Sequence, residues 1–213
     1  NYEEIKSKLS QIDEFLENSI KYGSGIRILN QDLWETIISF IISANNNIPR
    51  IKGIINRMSQ KYGTQIDWKG KSYYTFPTVE NLAKATVQDL RALGLGFRDI
   101  RVFETTHKIL NKEVDLEKMH NEPDTKKVRD ILLTLSGVGP KVADCILLFS
   151  TLKRFDVFPI DVWVRRVMNE LYIKNSDETK VNKKEIEKLA AEKFGNLEGI
   201  AQQYLFYWKR DTA

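Results

Sequence analysis

Apolar residues recur at intervals of three and four through most of the chain. Residues 31 to 44 place Leu33, Trp34, Ile37, Ile38 and Ile41 on one broad helical face, with Asn30 in the N-cap position. The same period runs through Val128, Ile131, Leu132 and Leu135, through Val142, Cys145, Ile146 and Phe149, and through Ile160, Val164, Val167 and Leu171, predicting three more core-facing helices. Helices are also predicted over 2–20, 50–62, 78–92, 98–112, 182–194 and 198–209. Gly63, Gly94, Gly96, Pro123, Pro159 and Gly195 serve as stops or turn formers. Two-residue alternation is hard to find, so the fold reads as all-α. With no fixed-period repeat and no low-complexity tract, a compact pair of helical lobes is favoured over a solenoid.

Composition narrows the class. The 213 residues are 42% apolar and 10% aromatic, enough to bury a sizeable core. Lys and Arg number 33 against 29 Asp and Glu, a formal +4 that suits an anionic partner without requiring one. The single cysteine, Cys145, and the two histidines, His107 and His120, form no CxxC or Cys/His cluster, so no side-chain metal site is expected. No apolar run approaches the ~20 residues of a membrane helix, and no signal peptide stands at the start. The expectation is a soluble intracellular protein, in the cytoplasm or nucleoid of a bacterium or the nucleus of a eukaryote. Charge is uneven: residues 41 to 71 carry Arg50, Lys52, Arg57, Lys61, Lys69 and Lys71 against Asp67 alone. A solvated face explains such a run as well as a nucleic-acid contact does, so a second signal is needed.

That signal lies at residues 135 to 141. The stripe ending at Leu135 joins the next through Ser136-Gly137-Val138-Gly139-Pro140-Lys141. Two helices meeting across Gly-Val-Gly leave turn amides, and those of the second helix's N-terminus, ready to bind phosphate. Each glycine admits a positive φ or a close backbone approach, and Pro140 fits the first turn, where its missing N–H costs nothing. Gly137, Val138 and Gly139 are thus candidate DNA-backbone contacts, although an ordinary αα-hairpin with a glycine C-cap fits the same residues.

Leu135-Ser136-Gly137-Val138-Gly139-Pro140-Lys141-Val142-Ala143-Asp144-Cys145, followed by Phe158-Pro159-Ile160-Asp161-Val162, resembles the helix-hairpin-helix-Gly/Pro-Asp superfamily of DNA glycosylases. Asn45-Asn46-Asn47-Ile48, Gly94-Leu95-Gly96-Phe97-Arg98, and Ala201-Gln202 with Phe206 are similar to its 8-oxoguanine DNA glycosylases. Nearly the whole chain is covered. A single cysteine sets it apart from endonuclease III-like and adenine-glycosylase relatives, most of which hold an iron–sulfur cluster on four.

The resemblance implies one glycosylase unit of two helical subdomains flanking a cleft, one of residues 32–136 and one of residues 1–31 plus 137–213. It implies Lys141 and Asp161 as catalytic residues, and Cys145, Gln202 and Phe206 as the pocket for an extruded base. Phe97 is implied as the wedge that fills the gap, with Asn45, Arg50 and Arg98 contacting the orphaned base. The implied partner is duplex DNA containing a damaged base, bound by a monomer without an organic cofactor. A monovalent cation on the Leu133, Leu135 and Val138 carbonyls occurs in some members.

The chemistry asked of these residues is coherent. Cleaving an N-glycosidic bond builds positive charge at C1′, so the site needs an anion, a nucleophile and a base taken out of the stack. The Lys141 amine suits attack on C1′, Schiff-base formation and β-elimination of the 3′ phosphate. A free ammonium gives up its proton about 3 units above neutral pH, a gap of roughly 4 kcal/mol. A helix N-terminus contributes only about 0.3–1 kcal/mol, so desolvation against DNA or a neighbouring base must do the rest. Asp161 follows Pro159 at a helix start, where it serves as a cap, as the anion facing the oxocarbenium-like transition state, or as both. Cys145 lies one turn after Lys141 and is equally a small core residue; Gln202 and Phe206, one turn apart, equally fit an amphipathic core helix.

Two features depart from the resemblance. Many relatives carry an N-terminal sheet-containing domain that supplies part of the lesion pocket, and nothing in this chain reads as it; a start at Asn1 suggests a trimmed fragment or a shorter enzyme. Trp163 stands where animal enzymes place a histidine. The favoured function is a bifunctional 8-oxoguanine glycosylase/AP lyase. A glycosylase for another oxidised or alkylated purine, and a non-catalytic DNA-binding module, are the alternatives.

Overall fold

The computed structural model describes residues 1–177 and 180–212. In chain order these form α1 (Tyr2–Ser10), α2 (Glu14–Tyr22), α3 (Leu33–Ser43), α4 (Ile48–Tyr62), β1 (Gln65–Trp68), β2 (Lys71–Tyr74), α5 (Val79–Leu82), α6 (Val87–Ala92), α7 (Asp99–Leu110), α8 (Leu116–Asn121), α9 (Thr125–Leu133), α10 (Pro140–Phe149), α11 (Val162–Met168), α12 (Lys183–Phe194) and α13 (Glu198–Thr212). The all-α expectation holds apart from one short hairpin, β1–β2, which the alternation test missed. Its Trp68↔Lys71 pairing leaves Lys69 and Gly70 as a two-residue turn, both at positive φ (49° and 71°).

Several helix boundaries differ from the periodicity. The helix expected over 2–20 is two helices, because Asp13 accepts Leu16 N–H at 2.9 Å and starts α2 afresh. The one expected over 78–92 also divides: Thr86 and Asp89 cap each other reciprocally at the start of α6. Asp32, not Asn30, caps α3, accepting Glu35 N–H at 2.9 Å. The stripe from Ile160 to Leu171 is helical from Val162 and loosens into a π turn over Asn169–Ile173, ending at left-handed Lys174 (φ 61°).

The chain divides into two compact units: Asn1–Asn30 with Leu147–Phe149 and Lys153–Ala213, and Gln31–Ile146 with Ser150–Leu152. Residues 137–146 thus group with the helices before them. In the first unit Leu9, Leu16 and Ile20 pack into one cluster with Phe158, Ile160, Val164, Phe194, Ile200 and Tyr204, all buried. In the second, α3 buries Ile37, Ile38, Ile41 and Ile42, α4 buries Ile54 and Met58, and α7 buries Val102. Among the described residues no helix is long and apolar enough to cross a membrane.

Candidate functional site

The Gly137–Gly139 hairpin joins α9 to α10 and is held from behind by α7. Thr105 Oγ1 donates to Ser136 O (3.1 Å) and Lys108 Nζ to Thr134 O (2.8 Å). Arg129 on α9 grips Asp144 on α10 (Nε–Oδ1 2.6 Å), tying the two helices together. Gly137 sits at φ +86°, and a Cβ there would lie 2.9 Å from Arg101 Cδ. Gly139 has ordinary φ (−93°) and open space where a Cβ would be. Among the described residues the amides of Ser136, Gly137, Gly139, Lys141 and Val142 have no acceptor, so the turn and the start of α10 hold a run of unpaired donors.

Lys141 follows in the first turn of α10, half-buried, with Nζ 5.7 Å from the Phe40 ring centroid, within cation–π range. Cys145, one turn on, is buried and in no disulfide. The same unit holds the Asn triplet. Asn46 Nδ2 donates to Ile42 O (3.0 Å) and Asn47 Oδ1 caps α4 through Arg50 N–H (3.0 Å). Asn45 is left exposed at φ +49°, its side chain free of hydrogen bonds.

Its backbone is pinned by Arg98. That guanidinium, 1% exposed, donates to Ala44 O (2.8 Å), Asn45 O (2.6 Å) and Leu95 O (3.2 Å). Burial, reinforced by the Arg50 and Arg101 charges, draws it below the usual arginine range. The structure therefore places Arg98 under Asn45 as a brace. Arg50 is exposed on α4 and touches Gly94 O (3.1 Å). Phe97 is 51% exposed, flanked by Arg98 (4.2 Å) and Arg101 (5.1 Å).

In the other unit, Asp161 caps α11: Oδ1 accepts Val164 N–H at 2.8 Å, and Oδ2 has no partner among the described residues. Gln202, 5% exposed, reaches Pro159 O from α13 (3.4 Å). Gln202 and Phe206 share one apolar seam with Phe158, Val164, Val167 and Met168, so these two are brought together. The Asn45–Arg50–Phe97–Arg98 group and the Lys141–Cys145 pair belong to the second unit, and Asp161, Gln202 and Phe206 to the first.

Residues 38–195 match the HhH-GPD superfamily of base excision DNA repair proteins. The chain belongs to that superfamily. Residues 1–37 match the N-terminal domain of 8-oxoguanine DNA glycosylase, which corrects the expectation that nothing here corresponds to it, although they carry α1, α2 and the start of α3 and no strand of a sheet. The chain is 45% identical, with a TM-score of 0.91, to the 8-oxoguanine glycosylase/lyase of Clostridium acetobutylicum, solved with double-stranded DNA containing cytosine opposite 8-oxoguanine. That likeness covers 100% of this chain and 71% of the other. It is 40% identical over 161 residues to the N-glycosylase/DNA lyase of Saccharomyces cerevisiae, covering 70% of this chain and 42% of the relative. It is 32% identical to a probable N-glycosylase/DNA lyase of Methanothermobacter thermautotrophicus, covering 91% and 66%. The chain thus spans under two thirds of the length of these two curated relatives.

Within this HhH-GPD chain, Arg57, which the sequence shows only as one charge of the basic run, has a specific place: its Nε and Nη2 hold Leu93 O (3.0 and 2.7 Å), next to the Gly94–Phe97 turn. Arg50 and Arg57 stand seven apart, on one face of α4, and that spacing was the available signal. Phe40 under Lys141 and Thr105 behind the hairpin carried none, since only the tertiary fold brings them there. Trp163 is 47% exposed, with Arg166 5.7 Å from its ring.

Proposed function

We propose that this chain is the catalytic part of a DNA glycosylase/AP lyase that removes 8-oxoguanine opposite cytosine. The observation that carries it is Lys141 in the first turn of α10, within a run of unpaired backbone donors that suits phosphates flanking one nucleotide. Its amine bonds to C1′ as the damaged base leaves with the glycosidic electron pair, the ring oxygen is expelled from C1′, and a Schiff base remains. Loss of a C2′ proton then expels the 3′ phosphate, and water releases the lysine. Asp161, with one oxygen capping α11 and one free, supplies the anion that stabilises the oxocarbenium-like transition state. Gln202 and Phe206 read and stack on the extruded purine, with Cys145 packing against it; Phe97 fills the gap, and Asn45 and Arg50 address the cytosine.

The reaction as proposed uses no organic cofactor. Leu133 and Val138 carbonyls accept no hydrogen bond among the described residues, and Leu135 O accepts only Val138 N–H (3.1 Å), so a monovalent cation fits there and would stiffen the hairpin. Borohydride trapping tests the reading. Wild-type protein should form a covalent adduct on duplex holding 8-oxoguanine opposite cytosine, and Lys141→Gln should bind that duplex without forming one. An undiminished adduct in the variant would remove Lys141 from the chemistry. Adduct formation on abasic DNA, with no release of 8-oxoguanine, would point to another lesion.

A further inference from the structure

The β1–β2 hairpin takes no part in the site above. All eight of its strand residues are exposed. The register puts Ile66, Trp68, Lys71 and Tyr73 on one face and Gln65, Asp67, Ser72 and Tyr74 on the other. The second face is satisfied internally: Gln65 Nε2 donates to Asp67 (3.1 Å) and Ser72 (3.2 Å), and Ser72 Oγ donates to Asp67 (2.7 Å). The first face is not. Trp68 is 59% exposed, Ile66 50% and Tyr73 48%. Neither Lys69 nor Lys71 has a carboxylate partner among the described residues, and Lys69 Nζ lies 4.3 Å over the Trp68 ring.

An apolar aromatic face edged by two uncompensated ammonium groups fits a partner that is itself anionic and partly apolar. The sugar–phosphate backbone of duplex DNA is such a partner, with phosphates for the lysines and deoxyribose for the rings. Base stacking fits poorly, because Lys69 covers one face of Trp68 and the Trp68 and Tyr73 rings are tilted 59° apart.

The hairpin's position is fixed relative to the cytosine-facing residues. A Cβ on Gly63, which ends α4, would lie 2.0 Å from Thr75 O, and Thr64 and Thr75 exchange two bonds (2.9 and 3.0 Å). The strands are thus clamped to the C-terminus of α4, whose first turn carries Arg50. At 1.5 Å per residue the two lie about 20 Å apart, about six base pairs of duplex. We propose that the Ile66–Trp68–Tyr73 face, with Lys69 and Lys71, is a second DNA-binding surface gripping the duplex backbone about six base pairs from the flipped nucleotide. This rests on the DNA reading above.

The test measures affinity for duplexes holding a tetrahydrofuran abasic analogue opposite cytosine, with flanks of about four or about twelve base pairs, shorter and longer than the inferred reach. Wild-type protein should bind the longer duplex more tightly. A Trp68→Ala/Tyr73→Ala variant should lose about tenfold on the long duplex and little on the short one. A Lys69→Gln/Lys71→Gln variant should flatten the salt dependence on the long duplex by a log–log slope of about two. Single-turnover excision on the short duplex should match wild type in both. Equal gains with length in all three proteins would overturn the proposal. So would loss of wild-type binding to phosphatidylserine vesicles in the aromatic variant with its DNA gain intact, which would assign the face to a membrane. A wild-type protein that neither binds nor cleaves either duplex would overturn the glycosylase reading itself.

Discussion

Asp161 uses its two oxygens differently: Oδ1 caps α11 through Val164 N–H at 2.8 Å, and Oδ2 has no partner among the described residues. Asparagine keeps the capping oxygen and loses the charge. Asp161→Asn should therefore hold stability within about 0.5 kcal/mol, whereas Asp161→Ala costs about 1 kcal/mol, and excision should slow about 100-fold or more in both. If thermal melts and single-turnover rates show excision falling only with alanine, capping is the whole of its role. Arg98 and Arg50 separate in the opposite sense. Arg98→Ala strips the side-chain donors from the carbonyls of Ala44 and Asn45 and empties a site that the guanidinium fills at 1% exposure, and should cost about 3 kcal/mol; Leu95 O keeps the backbone N–H of residue 98. Arg50→Ala should leave stability within about 0.5 kcal/mol and blur the preference for cytosine opposite the lesion. Unfolding midpoints, read beside excision opposite each of the four bases, decide this; an Arg50 variant that still discriminates fully removes it from base reading. Asp161's cap was readable from its place after Pro159. Arg98's buried destination was not, because nothing local to Gly94–Arg98 says that Ala44 will lie beneath it.

Hydrophobic period recovered most helices because the buried faces are long, as in α3, α10 and α13, where packing sets the pattern. It failed where capping overrides it. Ile5, Leu9, Ile12, Leu16 and Ile20 keep a helical period straight through the break at Asp13, so only the cap marks the start of α2. Thr86-Val87-Gln88-Asp89 was a readable capping box inside the single helix expected there. The β1–β2 strands bury no face: Gln65-Ile66-Asp67-Trp68 does alternate, but over four residues only, and Lys71-Ser72-Tyr73-Tyr74 breaks the pattern, so the signal is too short to stand out. The hairpin between α9 and α10 was readable as a motif, yet its two glycines divide the labour in a way that spacing alone hides. Gly137→Ala meets Arg101 and a positive φ and should cost about 1–2 kcal/mol in folding. Gly139→Ala meets nothing, so folding should be unchanged, but its methyl group would stand where a phosphate must approach and should weaken DNA binding about tenfold. Melting curves and duplex titrations of the two variants check the division; a Gly139→Ala protein that binds DNA normally would put the phosphate elsewhere.

The chain's net charge of +4 is small, and many of its cations are matched by anions close by. Lys8 with Glu4, Lys21 with Glu17, Lys61 with Asp89 and Lys209 with Glu170 all pair within 2.8 Å. Long-range attraction should accordingly be weak, and affinity should come from local contacts, several of which are neutral backbone amides that displace few counterions. The unpaired cations proposed to meet phosphates, Lys69 and Lys71, would give a log–log salt slope of about −2. Raising salt from about 50 to about 200 mM should then weaken binding less than about a hundredfold, where a protein covering many phosphates with lysines and arginines loses far more. Anisotropy titrations across that range measure the slope directly. A value steeper than about −6 would mean that a broad basic surface carries the binding, and the hairpin amides would then be secondary to charges that the described ion pairs hold in check.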